Sequence, residues 1–79
     1  MRRYETTLRE RYNELQRIIQ ACAKEDKLVE KEKLIAEMCI KWAVSRRYCL
    51  EKINALILTA KVKEFDDELS GKKILVWNG

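Results

Sequence analysis

The spacing of apolar residues changes once along the chain, close to Lys61. Before this point apolar residues recur every three or four positions, which is typical of helices that turn one side to a core. After it, residues 62–65 alternate between apolar and polar, and a second β-prone run follows at 73–77. The stretch between the two runs is polar and contains Gly71, which favours a turn. The sequence therefore predicts a mainly α-helical fold that ends in a C-terminal β-hairpin.

The composition excludes several classes of enzyme. The chain has 79 residues, enough for one small domain with a thin core, and it contains no histidine and only two glycines. Histidine-based triads, Cys/His zinc sites and glycine-rich phosphate loops are excluded on these grounds. No plausible acid/base pair is recognisable among the remaining residues. We therefore expect a binding protein with no catalytic residue, no metal and no cofactor.

The net charge of +4 permits a polyanionic partner without requiring one. No apolar run approaches the roughly 18 residues that a membrane-spanning helix needs, so we expect no membrane association. The first residues lack the apolar stretch of a secretory leader. The expected location is therefore intracellular, in the cytoplasm.

Three helices and a short extended segment are predicted before the hairpin. The first helix spans about residues 4–23, and an extended pair at 28–29 separates it from a second helix at about 30–43. A third helix runs from about 45 to 59, and the hairpin at 61–77 completes a single domain over 1–79. Ser45 is predicted to cap the third helix, because its hydroxyl can accept from an amide two or three residues later.

Residues 38–62 carry apolar or small residues at Met38, Cys39, Trp42, Ala43, Val44, Ser45, Cys49, Ile53, Leu56, Ala60 and Val62. This pattern resembles the helix-turn-helix of winged-helix transcription regulators from bacteria, archaea or archaeal viruses. The resemblance implies a winged helix-turn-helix that spans about 30–60, with the hairpin as its wing. It also implies a transcription regulator that binds double-stranded DNA with its recognition helix, 45–59, in the major groove. Ala43 and Ala60 stand where the family usually has glycine, so each must avoid a positive φ or absorb strain.

The start of the third helix carries the residues that we expect to contact DNA. In this motif that end of the helix faces the base edges, and its amides favour phosphate. The arginines could pair with guanine or phosphate, whereas lysines suit the DNA backbone. The predicted DNA-binding residues are Ser45, Arg46, Arg47, Tyr48 and Lys52 in the helix, and Lys72 and Lys73 in the hairpin.

Two conditions limit this hypothesis. The third helix must protrude from the domain, and internal ion pairs that hold both Arg46 and Arg47 would end the case for this helix as a reader of nucleic acid. The acidic run 66–68 on the hairpin would repel DNA and is expected to be solvated rather than to bind metal. Further phosphate contacts are conceivable from the first helix at Arg2, Arg3, Arg9 and Arg11.

Apolar residues outside the expected core predict a partner surface. The first helix has a stripe with alternating steps of four and three, which either packs on the same chain or pairs with a second copy. The candidate interface residues are Leu8, Tyr12, Leu15, Ile19, Ile40, Leu50 and Leu58. We expect a homodimer. The alternative is a protein-interaction module that serves as an accessory subunit of a replication, transcription or ribosomal complex.

The three cysteines, Cys22, Cys39 and Cys49, each fall on the apolar stripe of a predicted helix. We expect them to be buried free thiols that act as small apolar side chains. Their odd number leaves an intermolecular disulfide and a three-thiolate metal site open as alternatives.

Overall fold

Three helices surround one side of a small antiparallel sheet. The computed structural model describes the backbone of residues 3–78 and the side chains of residues 7–78. The elements are, in chain order, α1 (Arg3–Lys24), β1 (Val29–Glu30), α2 (Lys31–Trp42), α3 (Arg46–Leu58), β2 (Val62–Asp66) and β3 (Lys73–Trp77). The prediction of a mainly helical chain with a C-terminal hairpin is confirmed.

The hairpin strand β3 lies in the middle of the sheet, in the order β1-β3-β2. Val29 of β1 pairs with Leu75, and β2 pairs with β3 from Val62↔Trp77 to Asp66↔Lys73. The two-residue strand β1 thus ties the segment before α2 to the hairpin. Residues far apart in the chain are held together by this pairing, which fixes where the hairpin stands relative to α2 and α3.

The core lies between the helices and the inner side of the sheet. Its fully buried members come from all three helices and from β2 and β3. The buried cluster consists of Leu15, Ile19, Val29, Leu34, Ile35, Met38, Cys49, Ile53, Leu56, Val62 and Leu75. The cysteines are free thiols, of which Cys49 is buried and Cys22 and Cys39 are half-buried.

Two residues of the α1 stripe belong to this core rather than to an outer surface. Leu15 and Ile19 are 0% and 1% exposed within the chain itself. Their burial corrects the assignment of these two residues to an interface with a partner. The alternation of four and three residues serves packing on the same chain here, because α1 lies along the body of the domain.

Both turns that flank α3 contain a strained alanine. Ala43 ends α2 with φ 55° and ψ 49°, and Ala60 follows α3 with φ 62°. These angles are left-handed and cost an L-residue roughly 1–2 kcal/mol. Of the two possibilities that the sequence left for these alanines, the structure therefore adopts the strained one.

Ser45 caps α3 as predicted. Its Oγ accepts a hydrogen bond from the Tyr48 amide at 3.2 Å, and its backbone is extended with φ −73° and ψ 159°. The side chain satisfies one of the amides that a helix start leaves without a partner. Because this bond and Ala43 define the turn between α2 and α3, they set the direction in which α3 leaves the body.

Candidate nucleic-acid interface

The two sides of α3 differ sharply in exposure. Cys49, Ile53 and Leu56 face the core and are buried. The opposite side of the helix, at spacings of three and four, carries Arg47, Glu51, Asn54 and Leu58, all of them exposed. α3 is therefore not covered by neighbouring elements along this outer side. A helix that binds in a groove must have one side open to solvent, and the outer side of α3 is open in this way.

Arg46 is committed to an ion pair with α2. Its Nη2 donates to Glu32 Oε2 at 2.7 Å and to Oε1 at 2.9 Å, and its Nε donates to Oε1 at 3.3 Å. The hydrogen bonds that Arg46 donates to this carboxylate raise the pKa of Arg46 above its ordinary value. A two-pronged pair of this kind fixes the guanidinium in orientation as well as in charge. By the condition set above, the structure argues against Arg46 as a groove contact.

Arg47 has a weaker partner. Its Nε lies 3.3 Å from Glu51 Oε1 one turn along the same helix, and its side chain is 88% exposed. Exposed pairs with this spacing are worth only about 0.3–0.5 kcal/mol. Arg47 therefore does form an internal ion pair. The energy of that pair is small enough for a phosphate or a base to displace Glu51.

Tyr48 and Lys52 lie on the side of α3 that faces α1. Arg11 Nη1 of α1 donates to the Tyr48 hydroxyl at 2.9 Å, and its guanidinium lies 5.2 Å from the centre of the Tyr48 ring. The same guanidinium lies 5.5 Å from the Trp42 ring, and Lys52 Nζ lies 4.5 Å from the Tyr48 ring. Stacking of this kind holds cations in place without neutralising them.

This cationic cluster, formed by Arg11, Tyr48 and Lys52, has no acidic member. Within residues 7–78, no carboxylate lies within ion-pair distance of Arg11 or Lys52. A DNA contact by Tyr48 has to compete with the contacts that Tyr48 makes to Arg11. The cluster suits a phosphate beside α3 better than a base edge, because its cations flank the helix rather than lie on its outer side.

The hairpin lysines are both paired. Lys72 Nζ lies 2.7 Å from Glu30, and Lys73 Nζ lies 2.6 Å from Asp66. Each carboxylate raises the pKa of its lysine above the ordinary value. Asp67 is engaged in the turn, where it accepts from the Leu69 amide and the Ser70 hydroxyl. The two predicted contacts are thus matched by acidic neighbours, and neither Lys72 nor Lys73 is a free charge.

Asn54 is a candidate that the sequence analysis did not single out. It is exposed and lies on the outer side of α3, two helical turns after Arg47. A carboxamide can form two hydrogen bonds with adenine in the major groove, as an arginine can with guanine. Counting steps of three and four from Arg47 would have found it, since that count reaches Glu51, Asn54 and Leu58.

The remaining interface candidates differ in their exposure and in their place on the domain. Ile40 and Leu58 are 84% and 86% exposed, whereas Leu50 is half-buried against the core. Leu8 and Tyr12 line a groove of about 550 Å³ between α1 and the end of α3. The side chains of Arg2 and Arg3 lie outside the described residues, and Arg9 lines the same groove.

No membrane span is found in residues 3–78, and no metal site is found among the side chains of residues 7–78. No helix there combines the length and the apolar character that crossing a bilayer demands. No three potential ligands among His, Cys, Asp and Glu come together in this part of the chain, which includes all three cysteines.

Compared with family models, with curated proteins and with solved structures, the chain matches none of them.

Proposed function

We propose that this chain is a winged helix-turn-helix protein that binds double-stranded DNA through α3 and regulates transcription rather than catalysing a reaction. The element order and the sheet order β1-β3-β2 support this fold, with α2 and α3 as the helix-turn-helix and β2 and β3 as the wing. A regulator of this kind acts in the cytoplasm. The observation that carries the proposal is the exposed outer side of α3, where side chains able to pair with bases follow one another.

The outer side of α3 supplies the proposed base contacts. Arg47 pairs with guanine or phosphate after releasing Glu51, and Asn54 pairs with adenine. The freed Glu51 can accept from the amino group of cytosine. An α-helix fits the major groove, and these three residues lie along one side of α3. Ser45 and the first amides of α3 contribute the partial positive charge of a helix start.

The cationic cluster supplies the proposed backbone contacts. Arg11 and Lys52 lie beside α3 and carry charges that no described carboxylate neutralises, so they suit the phosphates at the edge of the groove. Arg46 acts through Glu32 as a brace between α3 and α2 and is not a DNA contact in this proposal. The paired lysines of the hairpin play at most a secondary part.

Binding to duplexes of random sequence at several salt concentrations tests the proposal. If a dimer neutralises about six to eight phosphates, the logarithm of affinity falls against the logarithm of salt with a slope of about −5 to −7. Arg47→Ala is expected to weaken binding by about 10-fold, because a good arginine contact is worth about 1–3 kcal/mol. Arg46→Ala is the matched variant, and its smaller effect on affinity separates a DNA contact from a brace.

Sequence preference provides the second measurement. Asn54→Ala is expected to relax selection at one position of a DNA site obtained by selection from random duplexes, with little change in binding to other DNA. Full affinity in Arg47→Ala, together with a flat salt dependence of the wild-type protein, would contradict DNA binding by α3.

A protein-interaction module is the second candidate, and the exposure of Ile40 and Leu58 favours it. Two large apolar side chains more than four-fifths exposed are typical of an interface when they belong to a wider apolar patch. A homodimer would place two copies of α3 about 34–36 Å apart, one turn of DNA. Leu58→Asp is expected to dissociate such a dimer, measured by sedimentation. An unchanged mass would leave Leu58 without this role.

A further inference from the structure

Two thiols meet between the helices of the helix-turn-helix. Cys39 lies near the end of α2 and Cys49 lies in the first part of α3. Cys39 Sγ donates to Cys49 Sγ at 3.6 Å. Cys22, the third cysteine, is on α1 and lines a different part of the surface with Lys27 and Lys33. The contact is therefore specific to one pair of the three cysteines.

We propose that Cys39 and Cys49 form an oxidisable dithiol, which a hydroperoxide such as hydrogen peroxide converts into a disulfide between α2 and α3. The reaction is a covalent modification of the chain and goes beyond the proposed function, because it needs no DNA. It also differs from the intermolecular disulfide considered from the sequence, since both sulfur atoms belong to one copy and already touch.

The reaction proceeds in two balanced steps. In the first, the Cys39 thiolate attacks one peroxide oxygen, the O–O bond breaks, and the departing hydroxide takes up a proton as water. In the second, the sulfur of Cys49 attacks the sulfenic sulfur of Cys39. The S–S bond forms, the S–O bond breaks, and the leaving hydroxide takes the Cys49 proton as a second water. The two thiols lose two electrons and two protons, and the peroxide is reduced to two waters.

The burial of the two residues determines the order of attack. Cys39 is half-buried and reachable from solvent, whereas Cys49 is 1% exposed. Burial, together with the contact with Cys39, raises the pKa of Cys49 to about 11, while Arg11 acts in the opposite direction. Cys49 is thus a poor first nucleophile for a solvent oxidant. It is well placed to attack a sulfur atom already in contact with it.

Formation of the disulfide adds a covalent link between α2 and α3. The sulfur atoms are 3.6 Å apart, and a disulfide requires about 2.05 Å. The missing distance of about 1.5 Å is covered by side-chain rotation and by approach of the two helices. The covalent link then spans the turn that contains Ala43 and Ser45 and restricts its motion. Reduction by a thiol reverses the change.

Mass spectrometry after mild peroxide treatment tests the proposal on the full chain. The expected product is a monomer lighter by about 2 Da, the mass of two hydrogens. Trypsin separates the cysteines onto peptides 18–24, 34–41 and 48–52. The expected linkage joins 34–41 to 48–52 and disappears with dithiothreitol. A linkage through 18–24, a covalent dimer only, or stable sulfinic acid at Cys39 without any linkage would each overturn the proposal.

Single variants provide the controls. Cys22→Ser is expected to retain the loss of about 2 Da, and Cys39→Ser is expected to abolish it. Cys49→Ala removes the partner while keeping a small apolar side chain, and Cys39 is then expected to stop at the sulfenic acid, trapped by dimedone. The oxidised wild-type protein is expected to melt about 5–10 °C above its reduced form. An equal loss of mass in Cys39→Ser and wild type would exclude this pair.

Discussion

α3 and the hairpin were both expected to touch DNA, but they are attached to the domain in different ways. α3 is anchored by Cys49, Ile53 and Leu56, whose side chains lie in the core. The hairpin reaches the core through Val62 of β2 and Leu75 of β3. Its lysines lie near the exposed turn, where Lys72 pairs with Glu30 and Lys73 pairs with Asp66 of the opposite strand. Apolar anchoring leaves the outer side of α3 free to carry function. Ionic anchoring uses the same charges that DNA binding would need.

The comparison shows that a lysine or arginine predicted from sequence is not yet a free charge. Of the five cations predicted to contact DNA from α3 and the hairpin, four face a carboxylate: Arg46, Arg47, Lys72 and Lys73. Lys52 contacts the Tyr48 ring instead. Among these five, the cation without a carboxylate partner therefore lies on α3 and not on the hairpin. Four experiments separate the two regions.

Truncation of an anchor is expected to have the largest effect. Ile53→Ala removes a side chain that is 0% exposed and is expected to lower the free energy of unfolding by about 2–5 kcal/mol. Phe65→Ala, on the exposed side of the hairpin, is the matched variant and is expected to cost less than about 1 kcal/mol. Urea denaturation measures both. Equal losses would mean that the exposed side of the hairpin at Phe65 is packed as tightly as the buried side of α3.

Removal of charge is expected to affect DNA binding from α3 far more than from the hairpin. Arg47→Gln with Lys52→Gln removes two positive charges from α3 and its flank. We expect this double variant to lose about 10–100-fold in duplex affinity and about 2 in salt slope. Lys72→Gln with Lys73→Gln removes the same charge from the hairpin and is expected to lose less than about 3-fold.

The matched charge change makes this pair of double variants decisive. General attraction between a basic protein and DNA would weaken equally in both. A larger loss from the hairpin variant would show that Glu30 and Asp66 release their lysines to DNA and that the wing is the main contact.

Relief of backbone strain is expected to have a smaller effect and the opposite sign. Ala43 and Ala60 precede α3 and the hairpin respectively, both with positive φ. Ala43→Gly and Ala60→Gly are each expected to stabilise the fold by about 1 kcal/mol, because glycine enters this region without a Cβ clash. Ala36→Gly, in the interior of α2, is the control and is expected to destabilise by about 1 kcal/mol. Destabilisation by both turn variants would contradict the left-handed geometry.

The helices and the hairpin could be predicted because their side chains follow one period over many residues. Ser45 could be predicted as a cap because the bond that it makes is local. Ion pairs are different: Arg46 meets Glu32 and Lys31 meets Glu64, and each pair joins residues that only the tertiary fold brings together. Helical spacing places Arg47 on the outer side of α3, but only the fold shows that Arg46 is held by Glu32 of α2. The dithiol likewise depends on the crossing of α2 and α3.

Acid is expected to loosen the hairpin slightly, through its ion pair with the start of α2. The ion pair with Lys72 holds the pKa of Glu30 below its ordinary value of 4.5. Because the folded carboxyl then binds its proton less readily than the unfolded one, the pair stabilises the fold at pH above 4.5, and this contribution is lost as the pH falls through the lowered pKa.

In Lys72→Gln, NMR titration of the Glu30 carboxyl is expected to show a pKa closer to 4.5. Glu14, whose pKa is lowered by Lys41 and Trp42 instead, is the control and is expected to titrate identically in both proteins. An unchanged Glu30 pKa in Lys72→Gln would mean that Lys72 is available after all, and the contrast between hairpin and α3 would lose its ionic basis.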